Sequence, residues 1–564
     1  MSIKTAQTAF GTVSGVLEEG VMLFKGVPYA APPVGKLRWK PPVDPEPWEG
    51  VRACDRFAAR PMQPGGTGLS IEPWASDFYY MGNPPMSEDC LYLNIATAAE
   101  SADEKRPVYI WFHGGGLSSG YSYEIEFNPE VLAKKGVVVV TVGQRLNVFG
   151  YLSLPQLSSE QNGISGNYGL MDEVKALDWV EKNIAAFGGD PEKITIGGQS
   201  GGTAKTGALA TCPMAAGKVK RVINQSALNW DVHFQTVKEG EKNGEAYLEA
   251  LGLSPDLSVE ELRKIPADRF YQISDPPIGA PGPRIPGSMV CDGKWVENVD
   301  MTVSFDKYAG NCDYIAGGNW GESPLAKGFF LGGKPIHSAK EMYDAIKEVT
   351  GEELYEKYDV ENLFPVSDED ADKMARHLAI EGLTGFGGNM KNRYFGAYRA
   401  EKFPGAKTFS YVFSHVTPVR PEDYDIPLRN PDTMLAWHSS ELWYTFDSLR
   451  EDVPPARPWK EWDFTLADIM SSYWANFIKT GDPNGEGLPL WPESDVQYGW
   501  IELGDTITPH QGMDGKKDEL LFDCLKVNND LPGLKSSMKI SSPFRSFETA
   551  GRFFCAFRIG EKVE

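Results

Sequence analysis

Lys193-Ile194-Thr195-Ile196-Gly197-Gly198-Gln199-Ser200-Gly201-Gly202 is a short apolar strand that runs straight into a serine with a glycine two positions away on each side. It reads as a nucleophile elbow. In such a turn the serine sits between strand and helix in a strained conformation, and a Cβ at position 198 or 202 would collide with neighbouring backbone. The turn lifts a hydroxyl toward substrate.

The bare pattern is not unique, because Gly116-Leu117-Ser118-Ser119-Gly120 matches it too. Context separates the two. Tyr121-Ser122-Tyr123-Glu124, after Ser118, has no helical apolar period, whereas the small residues from Gly202 to Ala210 suit a helix after a β-rich run. Ser200 is therefore the candidate nucleophile.

Working outward, Pro107-Val108-Tyr109-Ile110-Trp111-Phe112 and Val137-Val138-Val139-Val140-Thr141-Val142 read as strands. The second is too uniformly apolar for a half-exposed strand, so both sheet faces must be covered. Asp172 to Asn183 carries Val174, Leu177 and Val180 at helical spacing, with Ile184 continuing it and the acids Asp172 and Glu173 near its start. Gly188-Gly189-Asp190-Pro191 ends that helix. Near the N-terminus, Thr12–Val16 and Val21–Lys25 flank Gly20 as an expected antiparallel pair, and the proline-rich run from Pro28 to Pro42 is loop. Strand, helix, elbow strand and helix in succession predict an α/β fold with a mostly parallel sheet wrapped by helices. Ligands of such sheets bind beyond the carboxyl ends of the strands, where both His113-Gly114-Gly115-Gly116 and Ser200 fall.

A serine of ordinary pKa needs a neutral imidazole to take its proton and an acid to orient that imidazole. It also needs donors for the developing oxyanion. Consecutive glycines after a strand let backbone N–H groups turn toward substrate, which makes Gly115, Gly116 and the residue after the nucleophile, Gly201, the candidate oxyanion hole. From the residues alone the base could be any of several of the seven histidines.

Composition frames the rest. Seventy-eight acidic against 55 basic residues give a formal net charge of -23, which would repel a phosphate backbone or an anionic membrane surface. No nucleic-acid partner is expected. No run of about 18 apolar residues occurs, so no membrane insertion is expected. Met1–Phe10 lacks the apolar core of a signal peptide, making the cytoplasm the expected compartment, with a secreted mature form as the alternative. The seven cysteines are scattered, without Cys-x-x-Cys or a zinc-ligand cluster, so reduced thiols and no metal or other cofactor are expected. No linker or internal repeat cuts the 564 residues, which argues for one large domain over 1–564.

Several further stretches occur in the order of a known family: Phe24-Lys25-Gly26-Val27-Pro28-Tyr29-Ala30, Ser87-Glu88-Asp89-Cys90-Leu91-Tyr92-Leu93-Asn94, Gly166-Asn167-Tyr168-Gly169-Leu170-Met171-Asp172, Asn183 to Pro191, Tyr473-Trp474-Ala475-Asn476-Phe477 and Thr480 to Gly485. Over nearly its whole length the chain resembles a type-B carboxylesterase, the α/β-hydrolase family that also contains cholinesterases, fungal lipases and the bacterial para-nitrobenzyl-type esterases. The resemblance implies a mostly parallel sheet with a small N-terminal antiparallel portion, a flap-like segment at about 55–90 and helical cap insertions at about 325–400.

The resemblance also assigns the remaining site. Gly317-Gly318-Asn319-Trp320-Gly321-Glu322-Ser323 is similar to the family's acid segment and Trp437-His438-Ser439-Ser440-Glu441-Leu442 to its histidine segment. The implied triad is Ser200, Glu322 and His438, in the α/β-hydrolase order of nucleophile, acid, base. Asn224 to Trp230 is similar to a segment in which a serine supports the acid and a tryptophan lines the acyl pocket, which casts Ser226 and Trp230 in those roles, with burial in the core as the alternative for each. Leu117 and the flap aromatics Trp74 and Phe78 are further candidates to line the substrate pocket; for the aromatics, fastening a long loop is the alternative.

Departures from the pattern matter as well. Gln199 stands where the family commonly has Glu, and Gly201 where it usually has Ala. Without a carboxylate beside the imidazolium, the histidine pKa should be lower and cationic substrates less favoured. The family's first flap cysteine is absent; Cys54 lies upstream, and a bridge to Cys90 would need Cα atoms within about 7 Å. The expected activity is hydrolysis of small to medium alkyl or aryl esters through an acyl-enzyme, without cofactor, by a monomer or small homo-oligomer. A lipase, a carbohydrate or feruloyl esterase, and a non-catalytic binding member are the alternatives.

Overall fold

The structure, a computed structural model, describes residues 2–64, 84–226, 230, 232–272, 284–322, 336–383, 388–425, 430–451 and 457–528. At its centre is an eleven-stranded sheet. Its strands are β1 (Val16–Glu18), β2 (Val21–Pro28), β3 (Tyr92–Thr97), β4 (Arg106–Phe112), β5 (Val138–Val142), β6 (Gly189–Gln199), β7 (Arg221–Gln225), β8 (Asp313–Asn319), β9 (Thr408–Phe413), β10 (Trp500–Leu503) and β11 (Ile507–His510). Across the sheet they run β11-β10-β9-β8-β7-β6-β4-β5-β3-β2-β1. Every pair from β5 to β10 is parallel. Both margins are antiparallel: β1, β2 and β3 lead up to β5 at one side and β11 closes the other.

The alternation of side chains along a strand explains the layers. Val108, Ile110 and Phe112 of β4 enter one core while Tyr109 and Trp111 enter the other. In β5, Val138, Val140 and Val142 share the first core and Val139 the second, so the all-apolar run is a strand buried on both faces. Helix α1 (Tyr168–Asn183) covers the first face with Leu170, Val174, Leu177 and Val180. With it lies α2 (Gly201–Thr211), through Ala208 and Leu209. Across the sheet, α3 (Glu461–Thr480) packs Leu466, Met470, Tyr473, Trp474 and Phe477 into the second core.

Two local expectations change. Thr12–Ser14 does not pair with Val21–Lys25; it joins Thr5–Gln7 and Val51–Ala53 in a separate three-stranded sheet. The partner of β2 is β1, beyond Gly15, with Val16 opposite Leu23, so the apolar run is divided between two sheets. Asp172 and Glu173 are not in the first turn of their helix, which begins at Tyr168, and both are fully buried. Asp172 accepts from Arg145 Nε (2.8 Å) and Nη2 (2.7 Å), so it serves a buried ion pair rather than the helix dipole.

The strand order positions the site. The crossover from β4 leads to β5 on one side, and that from β6 leads to β7 on the other. Adjacent β4 and β6 thus form a switch point, the place where open α/β sheets bind ligands beyond the carboxyl ends of their strands.

Candidate active site

Ser200 closes β6 and caps the start of α2 with φ 56° and ψ -121°, a backbone conformation that an L-residue keeps only when its surroundings hold it there. Here Ser200 N donates to the Gln225 carbonyl (2.9 Å) and Thr203 Oγ1 donates to the Ser200 carbonyl (2.6 Å). The flanking glycines permit close approach. A Cβ on Gly202 would lie 2.1 Å from the Phe112 carbonyl oxygen, and one on Gly198 2.5 Å from the Gly202 carbonyl carbon. Ser118, the second match to the pattern, instead lies in a turn after the glycine run, its N–H donating to the Gly115 carbonyl (3.3 Å).

Glu322 lies three residues beyond β8, and His438 follows the short helix Pro431–Met434 in the long connection from β9 to α3. These loops are strapped together: Gly321 N donates to the Ala436 carbonyl (2.8 Å) and Asn319 Nδ2 to the Trp437 carbonyl (2.7 Å). The strap brings His438 Nδ1 onto Glu322 Oε2 in a short hydrogen bond, while His438 Nε2 faces Ser200 Oγ at 2.8 Å. The other Glu322 oxygen accepts from Asn319 N (3.0 Å). A carboxylate only accepts, so the proton of the neutral ring sits on Nδ1 and Nε2 is left to accept from the serine. Burial opposes charge on His438, but the charge and hydrogen bond of Glu322, with help from Glu441, hold its pKa above the ordinary histidine value.

Gln199, 2% exposed, places Nε2 3.3 Å from His438 Nε2, beside the same lone pair that the serine uses. Ser226 has φ 59° and donates through Oγ not to Glu322 but to Glu441 Oε1 (3.2 Å), which corrects the expectation that it supports the acid directly. Glu441 was not distinguished in the sequence, although it lies three residues from His438. It is fully buried, and its other oxygen accepts from Asn319 Nδ2 (2.6 Å). Burial and the neighbouring Glu322 charge push its pKa up to about 7. A glutamate in a short turn shows no periodicity that would have revealed this burial.

The glycine loop follows β4, with Gly115 at φ 82° and Gly116 at φ 66°. Its end meets the start of α2, which brings Gly116 against Gly201, the residue after Ser200. Leu117 is buried and its carbonyl accepts from Asn147 N (2.6 Å). Trp230, 1% exposed, packs against Phe305, Phe395 and Tyr398 with ring centroids 5.0–5.9 Å away, as a core side chain does. Trp74 and Phe78 lie outside the described residues. Cys54 and Cys90 are buried free thiols, and burial pushes the Cys54 pKa up to about 11. Among the described residues no helix is long and apolar enough to cross a membrane.

A mostly parallel sheet with a serine elbow at its switch point, and an acid and a histidine delivered from later strands, defines an α/β-hydrolase. The chain belongs to the carboxylesterase family, whose profile matches residues 2–520, and it is a carboxylic ester hydrolase acting on small-molecule esters. It is 30% identical over 543 residues to the para-nitrobenzyl esterase of Bacillus subtilis, covering 93% of this chain and 99% of that one. It is 31% identical over 518 residues to the fumonisin B1 esterase of Sphingopyxis macrogoltabida, covering 90% and 87%. Among solved structures, a carboxylesterase of Geobacillus stearothermophilus superposes with a TM-score of 0.71 at 28% identity, covering 92% of this chain and all of that one. A PNB esterase structure superposes equally well, with a TM-score of 0.71 at 27% identity and the same coverage.

Proposed function

We propose that the enzyme cleaves small to medium alkyl and aryl esters through an acyl-enzyme on Ser200. The observation that carries this reading is the continuous line Ser200 Oγ, His438 Nε2, His438 Nδ1, Glu322 Oε2 beside a glycine loop. In the first half-reaction His438 Nε2 takes the Ser200 proton as Oγ bonds to the ester carbonyl carbon, and the N–H groups of Gly115, Gly116 and Gly201 receive the oxyanion. Collapse expels the alcohol, which leaves with the proton from His438. Water then repeats the cycle on the acyl-enzyme, Glu322 fixing the ring tautomer throughout. The name of the para-nitrobenzyl esterase supports an aryl ester of modest size over an emulsified lipid.

A panel of p-nitrophenyl, feruloyl, acetyl-sugar and triglyceride esters, assayed with wild type and Ser200→Ala, tests the reading. Turnover of short aryl and alkyl esters that vanishes in the variant is expected. Activity confined to emulsified triglyceride would replace the esterase by a lipase.

A further inference from the structure

The proposed oxyanion hole draws on two elements that the fold does not join directly: the loop after β4 supplies Gly115 and Gly116, and the start of α2 supplies Gly201. Something has to keep them in register. Lys205, on α2, is fully buried, and its Nζ donates to the carbonyl of His113, the residue that opens the glycine loop, at 2.9 Å. Gln144, oriented with its amide nitrogen donating to the Val142 carbonyl (2.8 Å), accepts from the same Nζ through its oxygen (2.6 Å).

A buried ammonium is costly unless opposite charge stands near. Two carboxylates face it: Glu173 on α1, fully buried with neither oxygen hydrogen-bonded among the described residues, and Glu124, whose Oε1 accepts from Tyr121 N (2.8 Å). Burial lowers the Lys205 pKa to about 7, against the pull of Glu173 and then of Glu124, and it raises the Glu173 pKa to about 8, so near neutral pH neither group carries a full charge. The hydrogen bonds of the ammonium, however, go to the loop carbonyl and to Gln144. Its direct contact is thus with the oxyanion loop.

We infer that Lys205 is a positioning residue that clamps the glycine loop to the elbow helix by holding the His113 carbonyl. The inference rests on Gly115, Gly116 and Gly201 being the oxyanion donors. Holding the His113 carbonyl fixes the plane of the peptide that leads into Gly114, and so the direction in which the following N–H groups point. A misplacement of such donors by about 1 Å costs on the order of 100-fold in rate.

The test compares Lys205→Met with Glu173→Gln, which leaves the clamp intact, using a p-nitrophenyl ester and an aryl trifluoromethyl ketone that forms a tetrahedral oxyanion adduct on serine. Lys205→Met should lose at least about tenfold in kcat with KM within about twofold, and lose ketone affinity in parallel with kcat/KM. Glu173→Gln should stay within about threefold of wild type in both. If Lys205→Met does not fold, Lys205→Met/Glu173→Gln, which removes the unpaired carboxylate, replaces it with the same expectation. A ketone-sensitive wild type matched by the folded lysine variant in kcat and ketone affinity would overturn the inference alone. A wild type indifferent to the ketone would overturn the oxyanion assignment and the inference with it.

Discussion

Gly201 and Gly116 approach so closely that a Cβ on Gly201 would lie 2.1 Å from the Gly116 carbonyl oxygen and 2.5 Å from its carbonyl carbon. Both neighbours are backbone, so neither can swing aside as a side chain tip would. Gly201→Ala should therefore displace the glycine loop and lower kcat by about 10- to 100-fold while the protein still folds, since one mispositioned oxyanion donor costs on that order. Steady-state kinetics with circular dichroism checks this; wild-type kcat in the alanine variant would mean that the loop yields freely.

In the proposed mechanism the histidine sets the acid limb of the pH profile. Only neutral His438 can accept the Ser200 proton, so activity falls as pH falls through its pKa, which the Glu322 carboxylate holds above the ordinary 6.5 against burial. The acid limb of kcat/KM should lie above that value. Gln199→Glu would add a carboxylate beside Nε2, stabilise the imidazolium and move the limb higher still. An unmoved limb would show that position 199 does not sense the ring charge.

Glu441 acts in the opposite direction when neutralised. Its charge is among the influences that raise His438, so Glu441→Gln should move the acid limb lower while keeping partners for Ser226 and Asn319. A titration of kcat/KM from pH 5 to 9 reads the shift. A limb displaced upward would contradict the assigned coupling.

Arg145 and Asp172 lie away from the chemistry and test the fold. Their side chains are 3% and 0% exposed. Asp172→Asn leaves the guanidinium buried without a counter-charge and should destabilise by about 3 kcal/mol. A lowered urea midpoint checks it, and an unchanged midpoint would contradict the pair's role.

How much of this was legible in the sequence depended on whether the signal was periodic or positional. The all-apolar β5 announced a strand covered on both faces, and the glycines at 198 and 202 announced an elbow, because burial and close approach restrict residue types directly. Asp172 and Glu173 misled because acids near an apparent helix start suggest the dipole, and the helix begins one turn earlier than its apolar period shows. Thr12–Val16 misled because alternation does not reveal which of two sheets a strand joins. His438 and Glu322 were singled out only through family flanks, since they meet across loops far apart in the chain. Glu441 and Lys205 carried no sequence signal at all: their importance comes from burial beside other charges, which only the three-dimensional arrangement creates.

The most direct test of the central claim is covalent trapping with an activated organophosphonate, followed by peptide mapping. One equivalent should attach to the peptide carrying Ser200 in proportion to the activity lost, and Ser200→Ala should be both inactive and unlabelled. An active Ser200→Ala enzyme, or inactivation that tracks a label on another residue, would contradict the account.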